Sequence, residues 1–195
     1  MRLLKHIRTV SLFGIMAALS GAVALAQTRS IDTAHSTMTV HVFKTGLFSA
    51  FAHNHEISSP ISEGNVDVNR GQVSLTVDAA KLRVLDPEAS QSDRAQIQKT
   101  MEGPEVLDSQ KFSKILFHST TVDPAGKDRW SVRGDLTLHG QTRPVRVEVS
   151  LKDRHYEGTA IIRQSDFAIK PINIAGGTVK VKDEVKVEFD VVLAE

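Results

Sequence analysis

Two histidines stand one residue apart in Ala52-His53-Asn54-His55-Glu56. On extended backbone, residues two apart share a face and lie roughly 6.5–7 Å apart. Imidazoles placed so can share a metal ion, and zinc or copper would suit them. His35, His41 or Glu56 could add a third ligand, although Glu56 takes the opposite face of a regular strand. The pair alone falls short of the usual three or four ligands. It reads equally as a polar strand end whose histidines bond backbone or face water. The letters His-Asn-His are not a nuclease signature here, because the ββα pattern around such a site is missing.

Other reactive residues are less well placed. His35 and Ser36 are adjacent, and neighbours on a strand point apart, so they cannot act as base and nucleophile. Arg163 and Asp166 follow Ile161-Ile162. They either hold a ligand head group or form a structural pair, since buried charges are usually paired. Asp135 and His139 flank Leu136-Thr137-Leu138 and read as turn formers. His118 takes the face opposite Phe117, toward solvent. The chain has no cysteine, which removes thiol catalysis and cysteine-ligated zinc. There is no G-x-S-x-G elbow and no glycine-rich phosphate loop.

The elements that must position these residues are strands. Met38, Val40 and Val42 alternate with Thr39, His41 and Phe43. Val73-Leu75-Val77, Val132-Leu136-Leu138, Val145-Val147-Val149-Leu151 and Val185-Val187-Phe189-Val191 repeat the period of two. That period marks strands with one buried face. Asn69-Arg70-Gly71, Pro124-Ala125-Gly126, His139-Gly140-Gln141 and Gly176-Gly177 supply turns. Many short strands so separated predict an all-β sandwich or barrel. Asp86 to Met101 breaks the alternation. Ser90 followed by Asp93 is a helix entry, so a helical insertion is expected between two strands, covering a barrel mouth.

Residues 1–26 read as a signal peptide. Arg2, Lys5 and Arg8 precede an apolar run of about 16 residues, short of the roughly 20 a bilayer span needs. Ala24-Leu25-Ala26 then offers a cleavage site after Ala26. Residues 27–195 form one domain and are expected in the periplasm, as an exported protein. Loss of the leader takes Lys+Arg from 24 to 21 against 23 Asp+Glu. A weakly acidic chain without a basic block is a poor nucleic-acid binder.

Five segments in order resemble the YceI-like family of bacterial periplasmic, polyisoprenoid-binding proteins. They are Ile31-Asp32-Thr33-Ala34-His35-Ser36; Val77-Asp78-Ala79-Ala80-Lys81-Leu82; the run Leu107 to Thr120; Gly134 to Val145; and Arg163 to Ile169, the last followed by Val181-Lys182-Asp183-Glu184-Val185. The chain departs from the family at Lys44, where a histidine is common, and at the His53–His55 pair, where small residues are usual. The resemblance implies an extended, lipocalin-like antiparallel β-barrel with an elongated pocket. It implies a long isoprenoid ligand, a polyprenyl lipid or quinone tail, held for transport, storage or sequestration. It implies binding and not bond-making chemistry, with no required cofactor; the alternative is a periplasmic metal-binding protein or metal-dependent enzyme that uses His53 and His55 to hold zinc or copper. Brief contact with a membrane surface would fit a lipid carrier.

The side chains expected to line that pocket are Val42, Phe48, Phe51, Leu75, Val77, Phe117, Leu136, Leu138, Val147 and Val149. Arg163 and Asp166 are placed at its polar end. Alternation alone leaves open which strand face turns inward.

Overall fold

The alternating runs form strands, and the strands form one antiparallel sheet that curls on itself. The structure is a computed structural model and describes residues 28–45, 54–67, 69–174 and 179–195. The signal-peptide expectation therefore lies outside the described residues, as do Phe48, Phe51, His53 and Gly176-Gly177. The strands are β1 (Thr28–Ser30), β2 (Thr37–Thr45), β3 (His55–Ser58), β4 (Ile61–Asp67), β5 (Gln72–Asp78), β6 (Arg83–Val84), β7 (Lys114–Gly126), β8 (Arg129–Leu138), β9 (Gln141–Lys152), β10 (His155–Arg163), β11 (Asn173–Ile174) and β12 (Val179–Val192). One helix, α1 (Gln91–Glu102), stands between β6 and β7.

Neighbouring strands run β1-β4-β5-β7-β8-β9-β10-β12-β2-β3-β6, with β11 pairing β12. The β1 end of this path curls round to meet β12. Ile31, just after β1, bridges Leu193, just after β12. The Asp32 amide donates to the Val192 carbonyl and the Ala194 amide to the Ser30 carbonyl. β1 thus joins β4 to the end of β12, and the sheet closes there as a lipocalin-like barrel. This contact covers the edge that β1 would otherwise present.

Two hairpins fix the register of the middle strands. β8–β9 turns over His139 (φ +49°) and Gly140 (φ +71°), and β9–β10 over Asp153 (φ +48°) and Arg154 (φ +72°). Two residues with positive φ form the turn whose twist matches paired strands. Gly140 is required twice over, since an added Cβ would also run into the Phe112 ring. The β7–β8 turn falls at Lys127–Asp128, two residues beyond the Pro124-Ala125-Gly126 expected from sequence. Pairing continues through Pro124↔Trp130, past a register shift.

The barrel has two unlike ends. The β4–β5, β7–β8 and β9–β10 turns gather at one, where Ile31, Ile61, Val191 and Leu193 form a buried cluster. At the other end, α1 begins on Ser90, whose hydroxyl accepts from the Asp93 amide at 3.1 Å. Of the expected helical apolar positions, Met101 is buried and Ala95 is exposed. Met101 and Leu107 pack with Ile57, Val77 and Leu82. Beside them Phe167 and Ile169, from the turn after β10, pack on Leu136. These two clusters cap the helix end of the barrel.

Candidate functional site

The inward face of the sheet is now fixed. Even-numbered residues of β2, β8 and β10 point in, as do odd-numbered residues of β5, β9 and the second half of β12. They enclose a cavity of about 410 Å³. Val42, Leu75, Val77, Phe117, Leu136, Leu138, Val147 and Val149 all stand on its wall. Met38, Val40, Trp130, Val145, Val187 and Phe189 join them. The wall is apolar except for Ser59, Asp67 and Gln164 and the polar tips of Trp130 and Tyr156. Valine recurs around it, so the wall is set back from the axis. Facing positions are also thinned by Gly158, which lies under the Phe189 ring.

Arg163 and Asp166 are not on the wall. Ile162 takes the inward place in β10, which turns Arg163 outward to meet Glu184 at 3.4 Å. Both partners are more than half exposed. Asp166 is exposed as well, on a 3-10 turn whose inward residue is Phe167. The two therefore form no pair with each other. The residue of this segment that does reach the cavity is Gln164, whose amide donates to the Lys182 carbonyl at 2.8 Å.

The histidines are dispersed. His55 shares the parity of Ile57, and its Nδ1 meets Asp86 Oδ2 at 2.6 Å. The Asp86 side chain is 2% exposed, and its Oδ1 accepts from the Glu56 amide at 2.8 Å. Only Nε2 of His55 is left for another partner. His41 and Glu56 lie on the outer face, and His41 Nε2 bonds Glu188 at 2.8 Å. His35 bonds Asp32 at the far end of β2. None of the three can join His55 as the third ligand considered from sequence. No group of three or more metal-ligating side chains occurs among the described residues. Ser36 likewise has no base: its hydroxyl donates to the Asp32 carbonyl at 2.6 Å and accepts from the Val192 amide. His139 does more than turn the chain, since its Nδ1 lies 3.1 Å from the Phe167 carbonyl oxygen.

A second concavity, about 780 Å³, is a shallow groove on the outer face. Its charged groups are largely matched by neighbours: Glu188 by His41 and Lys186, Glu148 by Arg146, Asp190 by His155. The apolar space inside the sheet is the better ligand site, because burial there removes far more apolar surface from water.

Sequence reasoning did not find Asp86, Ser59 or Gln164. Asp86 lies 31 residues from its partner His55, and nothing local announces the contact. Ser59 precedes Pro60 at the bend between β3 and β4, which was the only available signal.

The model of the YceI-like domain matches residues 30–193. A UPF0312 protein of Vibrio cholerae is 27% identical over 170 residues, covering 81% of this chain and 84% of that protein. A UPF0312 protein of Shewanella putrefaciens is 26% identical over 152 residues, 72% of this chain and 75% of its own. Among solved structures, Burkholderia cenocepacia BcnA superposes with a TM-score of 0.57 at 19% identity, over 85% of this chain and 99% of that one. Family and fold are consistent with a binding protein.

Proposed function

Since the chain belongs to the YceI-like domain family, we propose that it holds an isoprenoid-type lipid, a polyprenyl or quinone tail, inside the barrel. The observation that carries this reading is the cavity of about 410 Å³ inside the curled sheet, with an almost wholly apolar wall. Each methylene moved from water into such a space contributes about 0.8 kcal/mol. Fifteen carbons would contribute on the order of 12 kcal/mol before the cost of association, which is itself about 4–15 kcal/mol. Useful affinity then comes from chain length alone, with no reaction and no cofactor. The leader read in residues 1–26 supports a periplasmic location after cleavage behind Ala26. There a lipid must cross water between membranes, so the protein would transport, store or sequester it, touching a membrane surface briefly at loading.

Native mass spectrometry of protein purified without detergent tests the proposal. The expected result is a one-to-one adduct that organic solvent extracts as an isoprenoid. An empty barrel that also fails to take up added prenyl alcohol refutes it.

A further inference from the structure

The size of the cavity and one small polar group on its wall, Ser59, say more about the ligand. An apolar protein cavity of about 150 Å³ accommodates benzene, six carbons. By the same scale, the space of about 410 Å³ here accommodates about sixteen carbons. That is three isoprene units. Met101 and Leu107 stand on its wall toward the helix end, and Ile31 and Leu193 on the wall as well.

Ser59 lines the cavity and is 3% exposed. Its backbone N–H donates to the Met38 carbonyl at 2.8 Å, but its hydroxyl takes no partner among the described residues. No side-chain oxygen or nitrogen sealed within the wall lacks a partner. The Ser59 oxygen is therefore open to the cavity. Two other polar side chains of the wall are already engaged, Asp67 by the Arg70 amide and Gln164 by the Lys182 carbonyl, while the polar tips of Trp130 and Tyr156 sit on larger rings. A hydroxyl in an apolar enclosure is normally satisfied, and an ordered water needs two to four polar partners.

We infer that the cavity takes one prenyl chain of about three isoprene units whose hydroxyl or carbonyl oxygen hydrogen-bonds Ser59 Oγ, any longer tail extending outside the barrel. This rests on the reading of the cavity as a lipid site and adds a length limit and a polar contact to it.

The chain has one tryptophan, Trp130, and it lies on the cavity wall, so its fluorescence reports filling. Geraniol, farnesol, geranylgeraniol and solanesol carry two, three, four and nine isoprene units. Titration with each, checked by native mass spectrometry, should show affinity rising at least about tenfold from geraniol to farnesol. It should then level off. A rise continuing to solanesol overturns the length limit and leaves the lipid reading standing. Failure of every alcohol to bind overturns both. Ser59→Ala keeps the backbone bond to Met38. It should weaken farnesol about tenfold and leave the parent hydrocarbon farnesene unchanged. Equal effects on the two, or no effect on farnesol, overturn the contact at Ser59.

Discussion

Replacing Asp86 with alanine tests whether the His55–Asp86 contact is a structural clamp. The carboxylate is 2% exposed and makes two short bonds, to His55 Nδ1 at 2.6 Å and from the Glu56 amide at 2.8 Å. It ties the strap before α1 to β3, alongside the Leu85 amide bonded to the Glu56 carbonyl. Alanine removes both acceptors and leaves the Glu56 N–H without a partner. An unmet buried donor costs about 1–3 kcal/mol, and the bond to histidine adds about 1–2. A total of about 3 kcal/mol corresponds to a fall in Tm of about 6–12 °C for a chain of this size. Asp86→Asn keeps an acceptor for Glu56 and should cost about 1 kcal/mol. The assay is thermal unfolding by circular dichroism, completed by the His55→Ala and double variants. Coupling of at least about 1 kcal/mol is expected between the two residues. Additive effects, or an alanine variant within about 2 °C of the parent, would refute the clamp and return His55 to the metal reading. That reading makes its own demand: untagged protein would then bind Zn²⁺ or Cu²⁺ stoichiometrically and gain Tm with it.

Three further outcomes follow from the geometry. Gly158→Ala should destabilise by about 1–3 kcal/mol, because its Cβ would run into the Glu148 carbonyl and the Phe189 ring; a urea midpoint unchanged from the parent's contradicts this. Phe167→Ala should cost about 3–5 kcal/mol, since Phe167 is 1% exposed and packs with Ile169 on Leu136; a loss under about 1 kcal/mol, read by urea unfolding, would show the helix end to be loosely packed. The third concerns Asp32. The His35 side chain holds its carboxyl below the usual range, with the His35 and Ala34 amides adding to this. A folded pKa below the unfolded one means a contribution present above about pH 4 and lost as pH falls through the folded value. NMR titration should give Asp32 a midpoint below a free aspartate, and His35→Ala should raise it; an ordinary midpoint in the parent refutes the contact.

The strands themselves were legible because period two in β2, β5, β8, β9 and β12 survives any tertiary context that buries one face. The helix entry at Ser90 and the His139-Gly140 turn were legible for a similar reason: cap and turn chemistry is local. Eight apolar pocket residues named from alternation and resemblance stand together on the cavity wall. Arg163 and Asp166 do not, because the choice of Ile162 as the inward residue is made by pairing with β12, not by their own sequence.

The sequence by itself determined an all-β domain, its spacing of strands and a family, since each rests on patterns within a few residues or on ordered motifs. Tertiary structure alone decided which face turned inward. An alternating strand is the same sequence whichever side is buried, and only closure of β1 against β12 settles it. The same folding set the size of the cavity, put Ser59 on its wall, and brought Asp86 to His55 across 31 residues. The histidine pair that had the spacing of a metal site thus has one member clamped by a buried carboxylate.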